Sequence, residues 1–204
     1  FILAKSSTVL VISFDGYRYD YNEMYDAKNF NKFKNNGVKA KSLKPVFPTL
    51  TFPNHYSIAT GAYPGTHGIV GNEFYDRGRK EKYSYKVKET VQDGSWYKSE
   101  PIWVTAERQG IKSAVYFWPG SEAEINGFRP SIYKEYTSKG SFEARVDSVI
   151  SWMQLPEDIR PGFIMLYFHE PDRTGHIHGL KSEYLIPTLE KMDDILGYIM
   201  QELD

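Results

Sequence analysis

The sequence predicts an α/β domain of three layers, in which helices cover both faces of a mostly parallel central sheet. Two continuous apolar runs, Thr8–Phe14 and Gly162–Phe168, are typical of strands that are buried on both faces. Segments with the apolar spacing of helices lie between and after these runs, and no internal repeat occurs. This alternation indicates a single domain over residues 1–204.

The first half of the chain is predicted to hold two strands, two helices and a long loop region. After the first apolar run, a helix is expected over Asn29–Asn36, where an Asn-Gly pair provides a stop signal. Val38–Leu43 is a candidate second strand. Phe52–Thr60 is predicted to be a helix that ends near Gly61, and residues 62–100 are rich in glycine and polar side chains, which predicts mostly loop.

The second half alternates more regularly between helices and strands. We expect a short helix at Ile102–Arg108, a strand at Lys112–Phe117, a helix at Phe142–Met153 and the second strongly apolar strand at Gly162–Phe168. A final helix should begin near Ser182. Its apolar face is formed by Leu185, Leu189, Met192, Leu196 and Ile199.

Composition excludes several classes of function. The 204 residues are 41% hydrophobic with a net charge of −1, which gives no electrostatic argument for binding nucleic acid or a membrane surface. No apolar run approaches the roughly 18 residues of a membrane helix. Phe1–Ala4 is compatible with the remnant of a signal peptide but is too short to identify one. The absence of cysteine excludes disulfides and thiolate metal sites, so any metal must bind Asp, Glu, His or hydroxyl oxygen.

One segment, Pro48–Tyr56, places the hydroxyl of Thr51 directly before an aromatic residue and a proline, where a turn leads into a helix. A helix N-terminus presents unpaired backbone N–H groups and the positive end of the helix dipole. That environment favours a deprotonated hydroxyl and an incoming phosphate. Thr51 is therefore either an ordinary helix cap or a reactive hydroxyl.

A second segment, His169–His178, contains three of the five histidines of the chain. Asp172 and His176 are four positions apart, which lets both side chains approach one cation from a turn or a helical start. Carboxylate oxygen and imidazole suit zinc or another divalent transition metal. A polar surface loop is the alternative interpretation. The histidines at either end of the segment are assigned either to supporting the metal ligands or to structural roles, and not to metal binding itself.

Asp15 directly follows the first buried strand, as the histidine segment follows the second. Ligands collect at the carboxyl ends of strands in parallel sheets, so this shared position favours a site there. Asp15 is either a second metal ligand or a helix cap. Two metal ions about 4 Å apart would form a clamp for phosphoryl transfer, and the weakly acidic hydroxyl of Thr51 needs such activation.

Two further segments are candidates for substrate contacts. Asn72 lies in a Gly-Asn segment and offers an amide that could donate a hydrogen bond to a phosphoryl oxygen, although an ordinary turn is the favoured interpretation of this segment taken alone. Phe117–Ser121 follows a predicted strand and forms either an aromatic pocket rim or core packing.

Together these motifs resemble the nucleotide pyrophosphatase/phosphodiesterase family of the alkaline phosphatase superfamily. The resemblance extends in order over nearly the whole chain, through VLVISFDGYR, FPTLTFPNHYSIATGAYPGTHGIVGN, PIWVTAERQG, YFWPGS and HEPDRTGHIHG. It implies an alkaline-phosphatase-like fold. It also implies a hydrolase that cleaves phosphodiester or pyrophosphate bonds of nucleotides and releases nucleoside monophosphate, outside the cell or in the periplasm.

The resemblance implies a role for each candidate site residue. Thr51 would be the nucleophile and would form a phosphothreonine intermediate. Asp15 and Thr51 would bind one zinc ion, and Asp172 and His176 a second, although other divalent metals are possible. Asn72 would donate a hydrogen bond to a non-bridging phosphate oxygen.

The same resemblance implies a nucleotide pocket, in which Phe52 and Tyr136 would sandwich the base and Trp118 and Pro119 would lie nearby. Stacking on aromatic rings tolerates any base. Members of the family that cleave lipids share the metal centre, so a choline-phospholipid phosphodiesterase is the alternative enzyme.

The chain departs from the family pattern in one respect. The family completes its zinc sites with an Asp-His-Gly motif and a later histidine, and no Asp-His pair occurs in these 204 residues. We therefore expect the chain to be the N-terminal portion of a larger catalytic domain, with the remaining ligands after Asp204, and the isolated portion to be inactive. A non-catalytic relative that keeps only the fold is the third interpretation.

Overall fold

The computed structural model describes residues 7–203, so Phe1–Ala4 lies outside the described residues. The strands are β1 (Val9–Phe14), β2 (Glu73–Asp76), β3 (Glu81–Ser84), β4 (Ser113–Tyr116), β5 (Ile132–Lys134) and β6 (Phe163–Phe168). The α-helices are α1 (Lys28–Asn35), α2 (Thr51–Thr60), α3 (Pro64–His67), α4 (Lys88–Gln92), α5 (Ile102–Arg108), α6 (Phe142–Met153), α7 (Asp172–His178) and α8 (Ile186–Leu203). Short 3₁₀ helices occur at Tyr21–Glu23, Gly94–Trp96 and Glu183–Leu185.

The central sheet has four strands in the order β1-β6-β4-β5. β4 is parallel to both β6 and β5. The amide of Val9 donates to the carbonyl of Gly162 and that of Asp15 to the carbonyl of Phe168, so β1 is also parallel to β6. All six residues of β6 are buried, as expected for an inner strand with a continuous apolar sequence. The predicted α/β class with a mostly parallel sheet is therefore confirmed.

The region predicted to be mostly loop, residues 62–100, contains more regular structure than its sequence indicates. β2 and β3 form an antiparallel hairpin in which the Phe74 and Tyr83 rings stack at 5.1 Å. Trp96 packs edge-on against both rings, and the guanidinium of Arg79 lies 3.9 Å from the Trp96 ring centroid. Aromatic packing holds this polar hairpin together.

The predicted strand at Val38–Leu43 is wrong. The segment forms no strand, and all of its residues are exposed, with Val38 99% accessible. A strand requires a hydrogen-bonded neighbour, and within residues 7–203 this segment pairs with none. The short strand β5 was not predicted, and α7 forms where only a turn or helical start was expected.

Residue contacts divide the chain into two compact units. The first comprises the chain up to Val11, Pro45–Thr137 and Trp152–Leu166, and its buried side chains include Trp103, Val115, Ile164 and Met165. The second comprises Ile12–Lys44, Ser138–Ser151 and the chain from Tyr167 onward. Its buried side chains include Tyr21, Leu185 and Leu189, against which Tyr17, Met24 and Tyr25 pack.

None of the helices within residues 7–203 is both long enough and apolar enough to span a bilayer.

Candidate functional site

Thr51 is the first residue of α2 and therefore does not occupy the N-cap position of this helix. The N-cap position is Leu50, which is extended and supplies no capping side chain. The N–H of Phe52 instead donates to Oδ1 of Asn72 at 2.9 Å. Asn72 therefore satisfies one of the unpaired donors of the first turn from a loop outside the helix. The hydroxyl of Thr51 is not needed as the cap.

Asn72 has two chemically distinct ends beside this helix N-terminus. Its Oδ1 accepts the Phe52 N–H, so its Nδ2 group is the end that can donate to a ligand. Asn72 and Thr51 are both partly buried. A neutral amide donor beside the positive end of a ten-residue helix suits a phosphate oxygen. The structure thus brings together the predicted nucleophile and the predicted phosphate donor.

Asn54 fixes the segment that leads into Thr51, a role that the sequence did not reveal. Its Nδ2 donates to the carbonyls of Pro48 at 3.0 Å and Leu50 at 2.9 Å. Its Oδ1 accepts the N–H of Val46 at 2.8 Å. The available signal was an asparagine near the start of a predicted helix, between proline and histidine, because asparagine side chains often bond to nearby backbone groups.

Trp118 and Pro119 lie on the interior side of this site. Nδ1 of His55 donates to the carbonyl of Thr51 at 2.8 Å, and the indole of Trp118 donates to the carbonyl of His55 at 2.9 Å. Trp118 is only 2% exposed, and Pro119 is buried. Trp118 therefore supports α2 from within the core. Its contact with a substrate, like that of Pro119, stays a prediction.

The predicted base-stacking residues belong to two aromatic groups of the first unit. Phe52 packs against Tyr83 at 6.3 Å and Tyr85 at 5.8 Å between ring centroids. Tyr136 is 49% exposed and lies 5.2 Å from Phe117. Tyr85, which is 43% exposed, was not predicted to lie beside Phe52, because nothing in its local sequence distinguishes it from the other tyrosines.

In the second unit, the structure brings Asp15 and Asp172 together. The N–H of Asp172 donates to the carbonyl of Asp15 at 2.9 Å. Gly16 makes this approach possible, since it has a φ of +70° and a Cβ on it would lie 2.7 Å from Cα of Asp172. Only glycine tolerates both that conformation and that spacing. The contact with Asp172 therefore accounts for the glycine directly after Asp15.

Asp172 and His176 lie one turn apart in α7. Nε2 of His176 is 3.4 Å from Oδ1 of Asp172, and the His176 side chain is 80% exposed. Burial, and next the negative charge of Asp15, raises the pKa of the Asp172 carboxyl above its usual range. A bound cation would relieve the repulsion between these two half-buried carboxylates.

The flanking histidines contact aromatic rings. His169 lies against Phe142 at 5.2 Å and 3.4 Å from Nη2 of Arg145. Burial, and next the charge of Arg145, lowers the pKa of His169. His178 lies 4.9 Å from the ring of Tyr184. Their assignment to supporting or structural roles, rather than to metal binding, stays a prediction.

The second unit supplies donors of the right chemistry for a divalent metal, although only part of a coordination shell. Carboxylate oxygens from Asp15 and Asp172 with the imidazole of His176 are the ligand types that zinc accepts. Within the described chain, however, no three or more His, Asp or Glu side chains are grouped closely enough to hold a metal ion. These residues are therefore of the right type to bind a metal ion, but further ligands would be required to complete its coordination shell.

Comparison with known proteins gives consistent matches over nearly the whole chain. Residues 9–204 match the model of the type I phosphodiesterase/nucleotide pyrophosphatase family. The chain is 46% identical to human ectonucleotide pyrophosphatase/phosphodiesterase family member 1, covering 98% of this chain and 22% of that protein. It is 45% identical to venom phosphodiesterase 2 of Crotalus adamanteus, covering 98% of this chain and 25% of that protein.

Solved structures agree with the sequence matches. Murine ectonucleotide pyrophosphatase/phosphodiesterase 5 superimposes with a TM-score of 0.91 at 35% identity, covering 97% of this chain and 52% of that one. A second structure of the murine protein, an inactive form in complex with AMP, also gives a TM-score of 0.91, at 34% identity. The chain thus spans about a quarter of the length of its curated relatives and about half of its structural neighbours.

Proposed function

The chain belongs to the type I phosphodiesterase/nucleotide pyrophosphatase family, and on that premise we propose that it is part of a hydrolase that cleaves phosphodiester or pyrophosphate bonds in nucleotides. The observation that carries the proposal is the N-terminus of α2. There the hydroxyl of Thr51, the positive end of the helix and the amide of Asn72 lie together.

Thr51 acts as the nucleophile in the proposed reaction. Its Oγ releases its proton to solvent and forms a bond to phosphorus while the bond from phosphorus to the leaving oxygen breaks. The leaving group departs with that electron pair and takes up a proton from solvent. Water then attacks the phosphothreonine, releases nucleoside monophosphate and restores the hydroxyl of Thr51. Throughout both steps, Nδ2 of Asn72 donates to a non-bridging oxygen, where negative charge develops.

Zinc is the proposed metal, although other divalent ions remain compatible with the same donors. Asp15 and Thr51 would hold one ion, and Asp172 and His176 the other, with their remaining ligands supplied elsewhere in the full-length protein. When bound, the metal would lower the pKa of the threonine hydroxyl and neutralise charge on the phosphate and leaving oxygen. The half-buried carboxylate pair of Asp15 and Asp172 supports this assignment, because such a pair favours a cation.

Nucleotides are the proposed substrate class. The family and the matched relatives are named for nucleotide pyrophosphatase and phosphodiesterase activity, and one structural neighbour holds AMP, which belongs to the proposed product class. Phe52 and Tyr136 are proposed to stack on the base. The names of the ectonucleotide and venom relatives also support action outside the cell.

Hydrolysis of a chromogenic phosphodiester by the full-length protein tests the mechanism. Thr51→Ala should lower kcat by at least about 10³-fold, because no other group replaces the nucleophile. Thr51→Ser is the matched control and should retain far more activity, since it keeps a hydroxyl. A chelator should abolish activity and added zinc should restore it.

Equal activity of the parent, Thr51→Ala and chelator-treated samples would contradict the proposal. Parallel rates on a nucleoside triphosphate and on lysophosphatidylcholine decide the substrate class. A preference for the lipid would replace the nucleotide assignment and leave the role of Thr51 in place.

A further inference from the structure

Tyr167 carries the one hydroxyl group of β6, whose other five residues are apolar. The side chain is only 6% exposed. Phenylalanine would continue the apolar run equally well, so burial alone does not explain the hydroxyl. A buried hydroxyl requires a hydrogen-bond partner, and this one donates to Oδ2 of Asp15 at 2.7 Å.

We infer that Tyr167 is a positioning residue that fixes the Asp15 carboxylate for metal binding, an inference that rests on the proposed role of Asp15. A free aspartate carboxylate rotates broadly about its terminal torsion. A hydrogen bond to Oδ2 selects one orientation of the carboxylate and so fixes the direction in which its oxygens face a cation. Partners of this kind orient metal ligands in many proteins, and losing one typically costs about 10–100-fold in metal affinity or activity.

Tyr167 is itself held in place. Nη1 of Arg145 donates to the carbonyl of Tyr167 at 3.0 Å, and Arg145 is 1% exposed. The Arg145 guanidinium lies 4.8 Å from the ring of Phe142, in the same helix. Directly after β1, the N–H of Asp15 donates to the carbonyl of Phe168 at 2.9 Å, which fixes the backbone there. Donor and acceptor therefore both project from restrained backbone, as an orienting contact requires.

Zinc affinity, measured by competition with a chelating dye, tests the inference on the full-length protein. Four proteins are compared in a double-mutant cycle: the parent, Tyr167→Phe, Asp15→Asn and the double variant. Tyr167→Phe should weaken zinc binding by about 10–100-fold. In the Asp15→Asn background the same change should alter affinity by less than about twofold, because the carboxylate through which Tyr167 acts is gone.

Tyr198→Phe is the matched control, since the Tyr198 hydroxyl also donates to a carboxylate of the second unit, Oδ1 of Asp147 at 2.6 Å. It should leave zinc affinity unchanged. The thermal midpoint of each metal-free protein reports separately on any purely structural loss.

Two outcomes would overturn the inference. One is an affinity of Tyr167→Phe within twofold of the parent, and the other is an equal loss in the presence and absence of the Asp15 carboxylate. If Asp15→Asn itself keeps full zinc affinity and activity, the proposed metal role of Asp15 fails instead. The two failures are therefore distinguishable.

Discussion

The N-termini of α1 and α2 are capped in the same manner but with different charge. At α1, in the second unit, the Asp193 carboxylate accepts the N–H groups of Asn29 and Phe30, each at 2.9 Å. At α2, in the first unit, the neutral amide of Asn72 accepts the N–H of Phe52 at 2.9 Å. Neither helix has a capping side chain at its own N-cap position.

The charge of the capping side chain decides whether a helix N-terminus is neutralised within the fold or remains able to attract an anion. Asp193 is 4% exposed and places a full negative charge at the positive end of α1, which satisfies the dipole and excludes another anion. Asn72 satisfies a donor of α2 without adding charge, so the dipole remains able to attract phosphate. Two substitutions, each with a control, test this contrast, and a pH dependence of the unit that carries α2 follows them.

Asn72→Asp gives α2 the kind of cap that α1 has, and we expect it to have the largest effect. The carboxylate can still accept the Phe52 N–H, so the free energy of unfolding should stay close to that of the parent. Activity should fall by about 10²–10³-fold, because the phosphate loses an amide donor and meets a negative charge. Urea unfolding and phosphodiester hydrolysis measure the two effects.

Asn72→Ala serves as the control for the previous substitution. It removes both the acceptor and the donor, so stability should fall by about 1 kcal/mol together with activity. If Asn72→Asp keeps full activity, the neutral charge of this cap has no role in catalysis.

Asp193→Asn makes the opposite exchange at α1. Both carboxylate oxygens accept hydrogen bonds, and Oδ2 also accepts the side-chain amide of Asn29 at 3.0 Å. An asparagine amide has only one acceptor oxygen. Its NH₂ group would therefore face either the two donors of Asn29 or the N–H of Phe30, and that bonding would be lost. We expect urea unfolding to show a loss of about 2–3 kcal/mol, with kcat unchanged in the folded protein.

Asp194→Asn is the matched control for α1, because Asp194 is the adjacent residue and is exposed. Its effect should stay within about 0.5 kcal/mol. Equal effects at the two positions would show that the Asp193 cap contributes little.

The smallest expected effect is a pH dependence of the unit that carries α2. His67 is completely buried, Nε2 donates to Oγ of Ser57 at 2.9 Å, and Nδ1 accepts the N–H of Ile69 at 3.2 Å. Burial lowers the pKa of His67 below the ordinary value of 6.5, so the neutral ring is the form that the fold stabilises.

The unfolded chain therefore binds this proton at higher pH than the folded protein. The contribution of His67 to stability is complete above pH 6.5 and is lost as the pH falls through the lowered folded pKa. Urea unfolding should show a loss of up to about 1 kcal/mol between pH 7.5 and 5. His67→Gln should reduce this dependence of stability on pH. The part that remains should come from His169, whose pKa is also lowered. An unchanged dependence would contradict the assignment.

The sequence predicted three of the four strands of the central sheet and the helices α5 and α6 well, because their signals are local. The continuous apolar runs of β1 and β6 match the observed strands within one residue at each end, and α5 and α6 have the predicted bounds. The β2–β3 hairpin was missed because rings from distant positions, such as Trp96, stabilise it. Val38–Leu43 failed for the opposite reason, since its apolar residues suit a strand but no described strand pairs with it.

The sequence by itself determined which chemical groups are present: a hydroxyl before a helix, carboxylates after two buried strands and a histidine one turn further on. Only the tertiary structure decided their partners. Asn72 lies 20 positions from the N–H it caps, and Asp193 lies 164 positions from Asn29. An unpaired N–H at a helix end can donate to any correctly placed oxygen, whatever the distance of that oxygen along the chain. The charge of each cap, and with it the role of each helix end, was therefore set by the fold.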